Sequence, residues 1–196
     1  MTGNDLAIGN TADGSRAVAA QSDGPYDSAT LGVADGATGT LSLDDASFTT
    51  TGTFTGGVEG KAVVDLHSGS TLATGGAVLG TATLTLDGGS SWVNGGAMTY
   101  RAINPAMSEP GPRIAIVGGA TVFTDGVLAT GIPNPYMGSD GIHLSIEGTG
   151  SAWWNSGPLP LYGHSTLSLT DGATARDAGV VVGYQGQSTR IVVDGP

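Results

Sequence analysis

Cysteine is absent from all 196 residues, so neither a disulfide nor a thiolate metal site is open to this chain. Positive charge is scarce: six Lys and Arg stand against 17 Asp and Glu, a net charge of −11. A surface of that sign repels phosphate backbones and anionic headgroups, so nucleic acid is not an expected partner. No apolar run approaches the roughly 18 residues of a membrane helix, and direct membrane insertion by this segment is not expected. The opening MTGNDLAIGN has neither the basic stretch nor the apolar run of a signal peptide. If the protein is exported, its signal is expected outside this sequence or already removed. Charged residues make up 12%, about half the usual share and too few for a disordered chain. No segment carries a 3.6-residue apolar period, so helix should be nearly absent.

What the chain has in plenty is glycine, 35 residues, among abundant Val, Ile, Leu and Thr. These fall into a repeat. A first segment of alternating apolar residues ending in a turn reads TLSLDDAS (40–47), VVDLHSGS (63–70), TLTLDGGS (83–90), IAIVGGA (114–120), HLSIEGTGS (143–151), TLSLTDGA (166–173) and RIVVDG (190–195). Its second apolar residue marks the period: Leu43, Leu66, Leu86, Ile116, Ile146, Leu169 and Val193, spaced 23, 20, 30, 30, 23 and 24 residues apart. SRAVAAQSDG (15–24) is a degenerate earlier copy. A second short segment follows, with Leu72, Trp92, Val122, Trp153 and Ala175 in matching places. A Gly-containing turn (TGG, NGG, TDG, NSG or DAG) leads to a third segment such as AVLG (77–80) or VVVG (180–183).

Alternation with period two predicts strands, Gly-rich punctuation predicts turns, and a fixed period near 20 predicts a solenoid. A rung of three short strands cannot bury its inward face alone, so neighbours stack. The expected fold is all-β: a right-handed parallel β-helix of about eight rungs and almost no helix. It forms one domain over 1–196, with degenerate rungs in 1–37 and regular ones in 38–196.

GSSWVNGGAMTY (89–100), GTGSAWWNSGPLPLYGHSTLSLTDGATA (148–175) and DAGVVVGYQGQSTRIVVDG (177–195) resemble the type V secretion/PEP-CTERM-associated repeat of autotransporter passengers. The resemblance is close over 81–100 and 142–196, looser over 38–80 and 113–130, and poor over 10–37. It implies a β-helix exported to a Gram-negative cell surface, where such passengers serve as adhesins, stalks and, less often, enzyme carriers. Neither end of the sequence shows a polar capping element. The chain is therefore expected to be a piece of a longer passenger, or a subunit whose ends meet others.

Most side chains that could carry chemistry also have a structural role. The ladder Thr50, Thr74, Asn94, Thr124, Asn155, Asp177 stands just before the second turn, where amides and hydroxyls can hydrogen-bond from rung to rung; Asn94 and Asn155 are read as structural. The column Asp44, His67, Asp87, Val117, Glu147, Thr170, Asp194 precedes the first turn, and Asp there bonds its own backbone. His67, His143 and His164 form no catalytic or metal-ligating spacing. Trp92 and Trp153 should fill the core, whereas Trp154 should point outward and could stack a sugar.

The two long rungs carry insertions at the same corner, 101–112 and 131–141, which should lie side by side as a binding face. Candidate ligand-binding residues there are Arg101, Asn104, Glu109, Asn134, Tyr136 and Asp140, with Trp154 on the rod itself. No catalytic residue, metal or cofactor is expected. The expected function is a non-enzymatic extracellular stalk or adhesive module meeting a cell-surface glycan or protein. End-to-end self-association into a filament is the alternative, and a polysaccharide-active enzyme the third reading.

Overall fold

A four- or five-residue strand with one apolar face has two needs: a cover for that face and partners for both backbone edges. Coiling meets both. The computed structural model describes residues 5–9, 15–19, 23–101, 111–130, 141–183 and 188–195, and every strand pairing among them is parallel. No helix occurs among these residues.

Strands are numbered in chain order. First strands form one continuous column: β2 (Ser15–Ala19), β5 (Thr38–Asp44), β8 (Lys61–His67), β11 (Ala82–Leu86), β13 (Arg113–Ile116), β15 (His143–Glu147), β18 (Thr166–Thr170) and β21 (Arg190–Val193). Second strands are β3 (Asp23–Tyr26), β6 (Ser47–Thr50), β9 (Thr71–Thr74), β16 (Ala152–Asn155) and β19 (Thr174–Arg176). Third strands are β1 (Asp5–Ile8), β4 (Ser28–Leu31), β7 (Thr53–Gly56), β10 (Gly76–Leu79), β17 (Pro158–Leu161) and β20 (Gly179–Val182). In two turns the second and third strands are one continuous strand, β12 (Ser91–Arg101) and β14 (Thr121–Thr130).

That continuity corrects one expectation. NGG and TDG were to be turns, yet the chain rounds this corner without leaving the ladder. Asn94 pairs with Thr124 and Ala97 with Gly126, so Gly95 and Gly96 oppose Asp125 alone. Two residues against one is a β-bulge, which bends a strand while keeping its pairing.

The spacing markers stack as the period requires: Leu43, Leu66, Leu86, Ile116, Ile146, Leu169 and Val193 lie in register. The second-strand column runs Phe48, Leu72, Trp92, Val122, Trp153, Ala175. A wide residue is repeatedly set beside a narrower one, which lets layers at a fixed rung spacing fill a tube without overpacking. Trp92, Trp153, Phe48 and Phe54 are fully buried.

The first corner is a tight turn. At His67–Ser70 the Ser70 amide donates to the His67 carbonyl, and both central residues have positive φ, Ser68 at 55° and Gly69 at 75°. That pair of left-handed residues is the type I′ signature, and Gly is its natural second member. The Ser70 hydroxyl also donates to the His67 carbonyl while accepting from the Ala46 amide of the preceding rung.

Among the described residues third strands break pairing once, between β14 and β17, and β17 pairs with β20 alone. Its sequence is PLPL, so Pro158 and Pro160 both lack the N–H that would extend the ladder. The buried Tyr100 hydroxyl bridges the gap, donating to the Pro160 carbonyl at 2.8 Å and accepting from the Tyr162 amide at 3.2 Å. Burial pushes the Tyr100 phenol up from its ordinary pKa, which keeps the donating proton in place.

The solenoid has about six turns rather than eight. Eight first strands stack, but β2 opens a turn whose second strand pairs irregularly between Asp23 and Tyr26, and no second or third strand follows β21 among the described residues. Val193 needs a related correction as a core residue. It is in register with Leu169 but 73% exposed, because no strand covers its far side. Leu169, covered on that side by the last described strand alone, is partly buried.

Candidate ligand-binding groove

The second corner shows why Trp and Asn travel together in GSSWVNGG and GSAWWNSG. An indole N–H inside a dry core needs an acceptor. Trp92 Nε1 donates to Thr74 Oγ1 of the preceding rung at 3.0 Å, and Thr74 Oγ1 donates onward to Asn94 Oδ1 at 2.8 Å. Asn94 Nδ2 reaches the Gly96 carbonyl at 2.6 Å and Thr124 Oγ1 at 3.1 Å. Trp153 finds its acceptor in the opposite direction, at Asp177 Oδ1 of the following rung (3.2 Å), which also accepts from Asn155 Nδ2 at 3.0 Å. Asn155 Nδ2 also donates to the Gly157 carbonyl at 2.7 Å. The side-chain column forms in two pieces, Thr74–Asn94–Thr124 and Asn155–Asp177, whereas Thr50 bonds the Gly52 carbonyl of its own corner; Asn94 and Asn155 are buried. Their polar atoms serve the corner.

Half-buried Asp177 has its pKa raised by loss of water around the carboxylate, an effect that the bonds from Asn155 and Trp153 oppose. The folded chain thus holds this proton more tightly than the unfolded one. The contribution of Asp177 to stability is greatest below its ordinary pKa and is lost as pH rises through the raised value. Asp177→Asn keeps an acceptor oxygen and has no charge to desolvate. It is expected to raise the melting temperature at pH 7, with the gain shrinking as the medium is acidified through the raised pKa. A lower melting temperature at pH 7 would mean that the ladder needs the charge.

One residue before each ladder position, the side chain turns outward. In register these are Thr49, Ala73, Val93, Phe123, Trp154 and Arg176. Three successive members are apolar and exposed: Val93 at 44%, Phe123 at 37% and Trp154 at 39%. The Phe123 and Trp154 rings meet with centroids 4.3 Å apart and planes inclined by 58°. Beside them runs an open groove, its other wall formed by Asp125, Ser156 and Ala178 beyond the ladder, with Arg176 and Asp177 at one end. The Asp125, Ser156 and Arg176 side chains are exposed and make no hydrogen bond or ion pair among the described residues. The outward orientation expected for Trp154 holds. Phe123, Asp125 and Arg176 were missed as its neighbours, although stepping one residue back from each ladder position would have picked out Phe123 and Arg176.

The insertion residues Asn104, Glu109, Asn134, Tyr136 and Asp140 lie outside the described residues, as does the side chain of Arg101. The strand ends flanking the insertions are in register: Arg101 pairs with Thr130 where they leave, and Arg113 with His143 where they return. Each histidine makes a contact to the next rung. His67 Nδ1 lies 2.9 Å from Asp87 Oδ2, His143 Nδ1 is 3.0 Å from Thr166 Oγ1, and His164 Nδ1 is 3.0 Å from Ser188 Oγ. Among the described residues no group of three His, Asp or Glu side chains is placed to hold a metal ion.

Comparison with known proteins found no family model, no curated protein and no solved structure that matches the chain.

Proposed function

We propose that this chain is a rigid, non-catalytic β-solenoid segment of an extracellular bacterial surface protein, acting as a stalk or adhesive module that presents side chains away from the cell. The observation that carries this reading is the register. One apolar core and three columns of parallel strands, the third interrupted once between β14 and β17, run through consecutive turns, and rungs are joined by backbone ladders and, at several corners, by Thr/Asn/Asp side-chain bonds. Such stacking makes a stiff element whose outward side chains line up at rung spacing. Export to a Gram-negative surface rests on the resemblance of the Gly-Ser-x-Trp-x-Asn-x-Gly rungs to the autotransporter repeat. Protease digestion of intact source cells tests location: fragments of this segment released from unlysed cells are expected, and protection until lysis would overturn the extracellular reading.

End-to-end self-association is a second reading, favoured by one observation. Val180, Val182, Ile191 and Val193 are in register with the buried Leu159, Leu161 and Leu167 and with Leu169, yet are themselves exposed. A further rung laid on that surface, from a continuation of the chain or from a second copy, would cover all four. Sedimentation across a concentration series separates the readings: growing rod-width assemblies support the filament, and a constant single-rod species supports the stalk.

A further inference from the structure

We propose that the Phe123–Trp154 strip and the groove beside it bind a neutral oligosaccharide. This deepens the adhesive reading above and rests on it. The two rings form a solvent-facing aromatic step, extended by Val93 on the preceding rung. Large apolar side chains gathered at the surface, rather than scattered singly, mark a place where something docks. The groove's polar groups narrow the choice of ligand. The Asp125 carboxylate accepts only, the Arg176 guanidinium donates only, and the Ser156 hydroxyl does both; among the described residues none of them has a partner. A pyranose ring offers the matching set, with an apolar C–H face to lie on an indole and a rim of hydroxyls that donate and accept.

Charge selects among saccharides. Asp125 and Asp177 flank the groove against the single cation Arg176, and the whole chain carries −11. An anionic glycan or a phosphate-bearing chain would meet repulsion there, whereas a neutral one would not. Geometry adds that outward side chains recur along the strip at the rung spacing of about 4.8 Å. That spacing is comparable with the length of one sugar residue in an extended chain, so successive sugars can follow Trp154, Phe123 and Val93.

The test uses the purified chain titrated with neutral hexasaccharides (gluco-, manno-, galacto- and N-acetylglucosamine-based) and with an anionic uronate hexasaccharide as counter-ligand. Binding is read by calorimetry and by tryptophan fluorescence, to which Trp154 is the exposed contributor. The saccharides are recovered and sized afterwards. Saturable binding of a neutral saccharide is expected, weakened tenfold or more by Trp154→Ala, several-fold by Arg176→Ala or Asp125→Ala, and unchanged by Thr55→Ala on another face. Trp154→Phe should retain part of the affinity, which separates stacking from loss of fold. Absence of binding by every neutral saccharide, preference for the uronate, or indifference to Trp154→Ala with the melting temperature preserved would each overturn the proposal. These failures would leave the stalk reading standing. Shortened saccharide in the recovered ligand would instead overturn the non-catalytic reading while leaving the binding site in place.

Discussion

Trp92→Ala is expected to cost about 3–5 kcal/mol of stability, the range for truncating a buried aromatic side chain. Trp92 is fully buried between Leu72 and Val122 of its neighbouring rungs, and its indole N–H is bonded to Thr74. Truncation leaves a void that a laddered backbone cannot close, because moving one rung inward would break its pairing on both sides. It also removes a donor from the Thr74 hydroxyl, which still bonds Asn94. Trp154→Ala is the control. That ring is part-exposed and packs on one side against Phe123, and its loss is expected to cost about 1–2 kcal/mol, well below the Trp92 change. Urea unfolding checks both: the Trp92 variant should shift the midpoint strongly at unchanged slope. Similar shifts for the two variants would show that the inward and outward assignments are wrong.

Gly57→Ala is expected to be the second most damaging change, for two reasons that a partner substitution separates. Gly57 has φ of +67°, and a Cβ built there would strike the backbone of Thr81, including its carbonyl. Thr81 is bonded to Gly57 through its own amide at 2.7 Å, so the neighbouring chain cannot retreat without breaking that bond. Gly69 has φ of +75° but nothing within 4 Å of the same position. Gly69→Ala therefore reports the conformational cost alone, about 1–2 kcal/mol. Gly57→Ala adds the cost of forcing atoms into a filled space, a further 1–3 kcal/mol or so. Equal effects in thermal or urea unfolding would rule out the close approach of the two rungs at this corner.

These expectations differ in how far the sequence alone supports them. The inward place of Trp92 was legible, because Leu72 and Val122 hold the same position in adjacent repeats and alternation assigns a face. The Asn94 and Asn155 ladder was legible on the same footing. The bulge at Gly95–Gly96 was not. A Gly-Gly pair before an apolar run satisfies turn and bulge equally well, and only the pairing of Ala97 with Gly126 distinguishes them. The binding face was placed on the insertions because extra length is conspicuous in a repeat. The groove beside Trp154 has no such signal, since its walls are ordinary rung residues drawn from four different turns.

By itself the sequence determined the period, the strand columns, the inward and outward faces and the lack of helix among the described residues. Each of these follows from local alternation and from turn residues that a single repeat displays. Only the tertiary structure decided which outward side chains share a surface. Phe123 and Asp125 share one turn while Trp154 and Arg176 belong to the next two, and a shift of one residue at any corner would send each to the opposite face. Tyr100 closing the gap opened by Pro158 and Pro160 is of the same kind. The Pro160 carbonyl finds its hydrogen-bond donor on a strand two turns away, and that distance is set by stacking rather than by spacing along the chain.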